Sequence, residues 1–293
     1  MLWGCWAIFQ HNRFVTPMKS TPLFTRPHAL VGMVHLRALP GTPQSRLAVR
    51  EIVEIAVTEA RQLASAGFDA LLVENMHDVP YLPDASAADT VAPFAVATAA
   101  VVQAVKIPVG LQVLSGANAA ALAIAHASGA AFIRAEGFVF AAVADEGLVA
   151  TGCAGHLLRE RRRLGADGIR VLADCRKKHA SHALTADLDI AAWIRAAEFF
   201  SADGVIVTGD ETAMPPDQGE LRRARAAARG SLLVGSGTTP ENVANILALA
   251  DAAIVGSTLK RDGLWSNELD ADRIAALVRA RDRIRPSVEG RSV

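Results

Sequence analysis

Cysteine is scarce in this chain, and that scarcity excludes one class of protein. The 293 residues include three cysteines, Cys5, Cys153 and Cys175, which are too few for a disulfide framework in a chain of this length. We therefore expect a reducing, cytoplasmic location. No apolar run reaches the roughly 18 residues that cross a bilayer, so we expect no membrane partner.

Excess charge of either sign is also absent. Thirty basic side chains balance thirty acidic ones, and the sequence pI is about 7.1. The chain lacks the basic stripe that nucleic-acid binding requires, and its Arg-rich stretch 159–163 has the pattern of a solvated helix face. We therefore expect no nucleic-acid partner. Because near-zero net charge leaves little repulsion between copies, we expect a homo-oligomer.

Eight short apolar runs, each ending in polar, glycine or acidic residues, are the most informative feature that is present. Helix-like segments lie between most of them, a pattern typical of parallel strands buried on both faces. Eight such units predict an α/β fold of the (β/α)₈ or TIM-barrel type, whose chemistry lies at the carboxyl ends of the strands. The runs span residues 31–35, 70–74, 109–113, 131–134, 169–174, 204–208, 232–235 and 253–256.

The barrel pattern divides the chain into three parts. Residues 1–29 contain three prolines and no sustained period, which predicts an irregular N-terminal extension. Residues 30–286 form the barrel domain, and residues 287–293 form a C-terminal tail. Gly67 is placed to end the first long helix. The connection after the fourth run, from about 136 to 153, is predicted to be a long loop.

The segment 234–242 carries the sharpest local signal, which is for a phosphate. Thr239 suits a helix N-cap and Pro240 the first helical position, so backbone N–H groups and a helix dipole would face an anion. The loops after strands seven and eight frequently bind phosphate in this fold. The predicted phosphate-binding residues are Gly235, Ser236, Gly237, Thr238, Gly256 and Ser257. Tight strand-to-helix turns are the alternative explanation for these glycines. Lys260 could supply a charge nearby or lie on the surface.

Acidic residues at strand ends are the candidates for catalysis. Glu74 ends the second run and Asp174 the fifth, and such carboxylates can be tuned as general acids or bases. His35, at the end of the first run, titrates near neutrality when unperturbed. The predicted catalytic residues are therefore Glu74, Asp174 and His35. Rim hydrogen bonding, and packing for His35, are the structural alternatives.

Polar residues near the other strand ends are predicted to bind substrate. Arg134 needs a partner, for which Glu74, Glu136 or the substrate would serve. The adjacent Lys177 and Lys178 suggest either binding of an anionic substrate or covalent Schiff-base chemistry. The predicted substrate-binding residues are Asn75, Gln112, Arg134, Glu136, Lys178, His179 and Thr208.

Metal-ligand spacing is weak in this sequence. His179 and His182 have no accompanying cysteine ligands and no His-Glu-x-x-His helix, so no metal site and no cofactor are predicted. Oxygen ligation of Mg²⁺ by Glu74, Asp78 and Asp174 is the alternative.

Several longer segments together resemble one known family. The chain is similar to the BtpA/SgcQ family, the relatives of a photosystem I biogenesis protein, from about residue 31 to 283. The resemblance implies a TIM barrel but no particular activity, and segments 112–118 and 134–137 depart from the usual family pattern as in a subgroup. The segments that carry it are 32–41, 73–80, 132–134, 145–147, 173–180, 207–209, 235–242 and 254–257.

These observations lead to one functional prediction and two alternatives. The chain is predicted to be an enzyme that acts on a small phosphorylated metabolite by general acid–base catalysis, as an isomerase, epimerase or lyase. The first alternative is a non-catalytic biogenesis or assembly factor of the BtpA type. The second is a metal-dependent hydrolase acting on sugar or nucleoside substrates.

Overall fold

A closed barrel of eight parallel strands forms the centre of the molecule. The computed structural model describes residues 23–24, 26–209 and 214–284, so most of the predicted N-terminal extension and the whole 287–293 tail lie outside the described residues. The barrel strands are β1 (Ala29–His35), β2 (Ala70–Glu74), β3 (Val109–Gln112), β4 (Phe132–Ala135), β7 (Arg170–Asp174), β9 (Gly204–Val207), β10 (Ser231–Val234) and β11 (Ala252–Val255). Their order around the barrel is β1, β11, β10, β9, β7, β4, β3, β2. The TIM-barrel prediction is confirmed.

Helices between the strands surround the barrel. Gly67 ends the first of them in the left-handed conformation, with φ 98°, as the sequence predicts. The outward-facing strand residues and the inner faces of the helices form one continuous apolar core. The helices in the described part are α1 (Val49–Ala66), α2 (Ala88–Ala104), α3 (Asn118–Ser128), α4 (Ala154–Arg163), α5 (Ile190–Phe199), α6 (Gln218–Ala227), α7 (Val243–Leu247) and α8 (Ala271–Asp282).

The inside of the barrel is filled by a second, smaller apolar cluster. It includes Val31, Met33, Leu72 and Phe132, all nearly inaccessible to solvent. Gly110 belongs to this interior because a Cβ atom there would lie 2.3 Å from the Phe132 ring. The barrel is therefore a packed core, and only its ends can hold a ligand.

A small second sheet covers part of the carboxyl end of the barrel, where the sequence predicts only a long loop. Its antiparallel strands are β5 (Ala142–Ala144), β6 (Gly147–Val149) and β8 (Ala180–Ser181), in the order β6, β5, β8. Strands of two or three residues are too short to show an alternating pattern, which is why sequence periodicity does not reveal them.

The helix after β10 is shorter than predicted, which changes the argument for phosphate binding. It begins at Val243 rather than Pro240, and Thr239 is not its N-cap. The Asn242 side chain instead accepts from the Thr239 N–H and donates to the Gly237 carbonyl, each at 2.8 Å. Since a five-residue helix has a weak dipole, an anion would depend on loop amides and nearby cations.

Candidate active site at the barrel mouth

The barrel mouth is formed by the last inward-facing residue of each strand. Side chains of a strand alternate between its two faces, so the residue two positions after an inward-facing one also points inward. Met33, Leu72, Phe132 and Leu172 all belong to the interior cluster. Applied to all eight strands, this rule places at the mouth His35, Glu74, Gln112, Arg134, Asp174, Thr208, Gly235 and Gly256. All eight are residues that the sequence analysis selects.

Two cavities lie at this end of the barrel. The smaller, of about 40 Å³, is lined by His35, Glu74, Arg134, Lys178 and the two glycine-rich loops. The larger, of about 240 Å³, is lined by Glu136, Asp174, Lys177 and the β5–β6 hairpin. A cavity of about 390 Å³ lies at the opposite end of the barrel, near Phe24, Ser231 and Asp251. We place the candidate site at the mouth because the chemically active side chains converge there.

His35 and Glu74 face each other across the smaller cavity. The His35 Nδ1 lies 3.3 Å from the Trp265 carbonyl oxygen, and its Nε2 lies 3.9 Å from the Glu74 Oε2. Burial, together with the charge of Lys260, lowers the pKa of His35 to about 3. Burial raises the pKa of Glu74 above its ordinary value, although the Arg134 and Lys178 charges oppose the shift. Both groups therefore favour their uncharged forms.

Arg134 pairs with Asp174, a partner that the sequence analysis does not name. The Arg134 Nε lies 3.1 Å from each Asp174 carboxylate oxygen, and both side chains are almost fully buried. Burial opposes the charge of Arg134, but nearby carboxylates, with Asp174 foremost, raise its pKa above the ordinary value. Arg134 lines the smaller cavity and Asp174 the larger one, so this ion pair forms the wall between them.

The three lysines near the mouth have different surroundings. Lys177 lies 3.2 Å from Glu136 and 3.1 Å from Glu146, so two ion pairs hold it. Lys260 is not a surface residue, because it is buried with its Nζ 2.8 Å from Glu59, although its charge still acts on His35. Lys178 lines the smaller cavity. Burial and the charge of Arg134 lower the pKa of Lys178.

Two glycines at the mouth make room for functional side chains. A Cβ atom on Gly235 would lie 2.6 Å from the Thr208 Cγ2 and 3.3 Å from the Arg134 Nη2. A Cβ atom on Gly256 would lie 3.2 Å from the His35 Cε1. These glycines therefore allow the guanidinium and the imidazole to approach the two glycine-rich loops.

Gly237 serves a different purpose. Its φ is +70°, and a Cβ atom there would collide with the Pro215 backbone. Ser236 joins its loop to the same neighbouring segment, since its hydroxyl accepts from the Gly209 N–H and donates to the Met214 carbonyl. For Gly237, close backbone packing of the preceding loop is therefore a sufficient reason to be glycine. Both residues nonetheless line the smaller cavity, as do Thr238 and Ser257.

Four residues predicted to bind substrate line neither mouth cavity. Asn75 is fully buried and bonds through its amide to Asp78 and to the Leu114 backbone. The remaining three are Gln112, whose amide is buried, Thr208, whose hydroxyl donates to the Arg176 carbonyl, and His179, which is exposed. Asn75 and Thr208 thus make structural contacts that strand position alone does not reveal.

Trp265 is a residue of the mouth that the sequence analysis does not select. Trp265 lines the smaller cavity, and its carbonyl oxygen fixes the His35 ring. Its ring also packs edge-on against His77 at a centroid distance of 4.9 Å. Trp265 lies in an irregular segment after β11, so no periodic signal marks it. A lone aromatic residue beside the eighth predicted strand end is the clue that the sequence does offer.

The described ranges bring no three His, Cys, Asp or Glu side chains together in an arrangement that could bind a metal ion. Asp78 accepts from the Leu39 N–H and from Asn75, and Asp174 accepts from Arg134, so two of the carboxylates considered for Mg²⁺ have other partners. Within residues 23–24, 26–209 and 214–284, no helix has the length and apolar character of a transmembrane span.

Solved structures with the same architecture are numerous and distant in sequence. Phosphoribosyl anthranilate isomerase from Thermus thermophilus matches with a TM-score of 0.55 at 12% identity, covering 88% of this chain and 100% of that one. Thiamine phosphate pyrophosphorylase from Pyrococcus furiosus matches with a TM-score of 0.55 at 10% identity, covering 87% and 96%. At this level of identity the likeness shows the fold alone.

Sequence relatives are much nearer. A mitochondrial protein of Caenorhabditis elegans is 40% identical over 253 residues, which are 85% of this chain and 91% of that one. The photosystem I biogenesis protein BtpA of Synechocystis is 34% identical over 258 residues, 88% of this chain and 89% of its own. The model of the BtpA family matches residues 26–283. The chain therefore belongs to the BtpA family.

Proposed function

We propose that this protein is an enzyme that binds a small phosphorylated metabolite at the barrel mouth and catalyses proton transfer on it, as an isomerase, epimerase or lyase does. One observation carries the proposal. The loops 235–238 and 256–258 line the same cavity as Glu74, Arg134 and Lys178. A phosphate held by the loop amides would therefore lie beside the Arg134 guanidinium and the Lys178 amine, with a carboxyl group within the same small space.

Arg134 is the cation best placed for the phosphate. Its Nε is committed to Asp174, while its Nη atoms make no hydrogen bond to the described residues. The Nη2 lies next to Gly235, at the first of the two loops. Arg134 therefore has donors that remain available for an anion, and a guanidinium suits phosphate geometry. In this proposal Asp174 is a positioning residue that holds Arg134.

Glu74 is the residue proposed to transfer protons. Its carboxyl group accepts no hydrogen bond from the part of the chain that the structure describes, and its pKa is raised by burial. A raised pKa moves a carboxyl group toward the range in which a general acid or base is most effective. His35 assists as a neutral imidazole whose Nε2 faces Glu74.

The size of the cavity adds a condition. The cavity measures about 40 Å³, whereas ligand pockets usually measure roughly 300–1,000 Å³. The proposal therefore requires the loops over the mouth to move outward when the whole metabolite binds. The similar barrels named above include enzymes of phosphorylated compounds, which is compatible with the proposal.

A thermal-shift screen tests the proposal directly. Phosphorylated sugars are compared with their unphosphorylated parents, and a ligand at 100 times its Kd should stabilise the fold by about 2.7 kcal/mol. Ser257→Asp places a negative charge in the cavity and should abolish the shift, whereas Ser86→Asp, on an exposed loop, should retain it. The proposal fails when no phosphorylated compound raises the melting temperature more than its parent does.

A further inference from the structure

Lys178 differs from every other lysine that the structure describes. The chain has five lysines, at positions 19, 106, 177, 178 and 260, and the structure describes the last four. Lys106 is exposed on the surface after α2. Lys177 and Lys260 are each held by glutamates at 3.2 Å or less. Lys178 makes no hydrogen bond or ion pair with the described residues, yet it lines the smaller cavity.

The surroundings of Lys178 favour a neutral amine. Its pKa is lowered by burial and by the positive charge of Arg134, against the opposing carboxylates of Glu74 and Asp174. An ammonium group has no lone pair, so the neutral form is the one that can attack an electrophile. The two adjacent lysines therefore have opposite surroundings, with Lys177 fixed as a cation and Lys178 kept available for chemistry.

We propose that Lys178 is the nucleophile of this site and forms an imine with the carbonyl carbon of its substrate. The inference rests on the proposed function and narrows the substrate class to phosphorylated aldehydes or ketones. The geometry that carries it is one cavity lined by the Lys178 amine, the Glu74 carboxyl group and the Arg134 guanidinium. Within the described residues, the amine, the carboxyl group and the two Nη atoms make no hydrogen bond.

Imine formation needs only the Lys178 amine, the substrate carbonyl group and Glu74 as the group that transfers protons. The Lys178 Nζ lone pair forms a bond to the carbonyl carbon while the carbonyl π pair moves to oxygen, and proton exchange through Glu74 gives the neutral carbinolamine. Glu74 then protonates the hydroxyl group, the C–O bond breaks, and water leaves as the nitrogen lone pair forms the iminium double bond. Nothing is oxidised or reduced in this step.

The iminium makes the proton chemistry of Glu74 easier. The Glu74 carboxylate removes a proton from the carbon next to the iminium, and the C–H electron pair moves toward the positive nitrogen to give an enamine. A water molecule on the other face donates a proton to that carbon and inverts its configuration, and the hydroxide left behind takes the first proton from Glu74, which restores the carboxylate. Water then adds to the iminium carbon, and loss of the lysine amine restores the carbonyl group.

Pyridoxal 5′-phosphate is a suitable probe because it joins an aldehyde to a phosphate in one small molecule. Full-length protein is incubated with this probe at neutral pH, and sodium borohydride then delivers hydride to the imine carbon and fixes the bond as a secondary amine. Peptide mass spectrometry locates the label. We expect it on Lys178 ahead of Lys106, Lys177 and Lys260, and we expect inorganic phosphate to protect that position.

Two variants separate nucleophilic attack from simple anion binding. Lys178→Arg supplies a hydrogen-bond donor that stays charged and is not a nucleophile, so it should retain the thermal shift with inorganic phosphate while losing the covalent label. Lys178→Met should lose the label and weaken the thermal shift. The melting temperature and circular dichroism spectrum of each variant verify its fold. The position of the label in the wild-type protein is informative even where a variant does not fold.

The outcomes separate this inference from the function on which it rests. A label spread over the exposed lysines, with none on Lys178, overturns the inference. When phosphorylated compounds still stabilise the protein in that case, the proposed function stands without an imine. A label on Lys178 that inorganic phosphate does not reduce supports the nucleophile and contradicts the phosphate site instead.

Discussion

The Nε2 of His35 lies 3.9 Å from the Oε2 of Glu74, while the Nδ1 of the same ring is fixed by the Trp265 carbonyl oxygen at 3.3 Å. Because a carbonyl oxygen can only accept, the Nδ1 carries the proton and the Nε2 presents a lone pair to Glu74. Burial favours the uncharged form of both groups. Burial thus shifts both groups toward the forms that can exchange protons with a substrate at a lower cost in buried charge.

Glu74→Gln removes the proposed acid–base group while keeping its size. We expect turnover of the substrate found by the ligand screen to fall by roughly 10²–10⁴-fold, because that is the usual contribution of a general acid or base. The thermal shift with phosphorylated ligands should persist, since the loops and Arg134 remain in place. Steady-state kinetics and thermal denaturation give the two measurements.

A matched variant tests whether that loss is specific. Glu54→Gln changes an exposed glutamate of α1 that only pairs with Arg50 on the helix surface, and it should leave turnover unchanged. Full activity in Glu74→Gln would contradict the acid–base proposal. A protein that binds ligands without any turnover would instead match the non-catalytic assembly factor considered from the sequence.

The pKa of His35 predicts a loss of stability in acid. The folded-state pKa is about 3, whereas the unfolded chain titrates near 6.5. Between these values the unfolded state binds one proton more than the folded state, so stability falls as pH decreases from 6.5 toward 3, by about 1.4 kcal/mol per pH unit. His35→Gln, which can still donate to Trp265, should remove this one-proton dependence from urea unfolding measured between pH 4.5 and 6.5.

The comparison between variants is needed because other groups titrate in the same range. His77, with its pKa lowered by burial to about 4, adds to the loss in acid, whereas the raised pKa of Glu74 acts in the opposite direction. His156→Gln changes an exposed histidine of α4 and should reproduce the wild-type slope. An identical slope in His35→Gln would mean that the buried ring accepts a proton after all.

The loss of unfolding free energy on breaking the Arg134–Asp174 ion pair should depend on whether one partner or both are replaced. Asp174→Asn leaves a buried guanidinium without its carboxylate partner and should cost about 3–5 kcal/mol. The double variant Arg134→Met with Asp174→Asn removes the unpaired charge and should cost less than the single change. Asp167→Asn, in an exposed pair with Arg162, should cost less than about 1 kcal/mol. Urea denaturation measures all three, and a double variant less stable than Asp174→Asn alone would contradict the argument.

Much of the fold can be predicted from the sequence because each barrel strand is buried on both faces. Such strands appear as apolar runs, and their ends mark the mouth. β1 nevertheless starts at Ala29 rather than Val31, because Ala29 and Leu30 pair with β11. That pairing joins the first and last strands of the barrel, which are far apart in the sequence, so the residues around Ala29 do not reveal it. The short strands of the second sheet and the reduced length of α7 are missed for the same reason, since tertiary contacts decide them.

The candidate site is less predictable than the fold, because the role of each side chain depends on its hydrogen-bond and ion-pair partners, which tertiary contacts decide. Alternation along each strand places Glu74, Arg134 and Asp174 at one rim, and the structure agrees. Strand alternation does not reveal that Asp174 accepts a hydrogen bond from Arg134 or that Asn75 accepts one from the Leu114 N–H. Lys177 and Lys178 are identical in type and adjacent in sequence, yet only the folded chain shows which of them is paired. Chemical roles thus depend on distances that sequence spacing leaves open.

Gly235 and Gly237 should respond differently to substitution, because Gly235 leaves room for neighbouring side chains whereas Gly237 packs against backbone at a positive φ. Gly235→Ala places a Cβ atom 2.6 Å from Thr208 and 3.3 Å from the Arg134 Nη2, so the groups proposed to hold the phosphate must shift. We expect weaker binding of phosphorylated ligands and a loss of roughly 1–3 kcal/mol from overpacking. Gly168→Ala is the control, since no atom lies within 4 Å of its added Cβ.

Gly237→Ala should behave differently, because its added Cβ would meet the Pro215 backbone and its φ of +70° disfavours any side chain. We expect a larger loss of stability there than in Gly235→Ala. Isothermal titration and urea denaturation on the three variants give both readouts. When Gly235→Ala binds phosphorylated ligands as tightly as Gly168→Ala does, the loop after β10 is a packing turn, and the anion must be held elsewhere at the mouth.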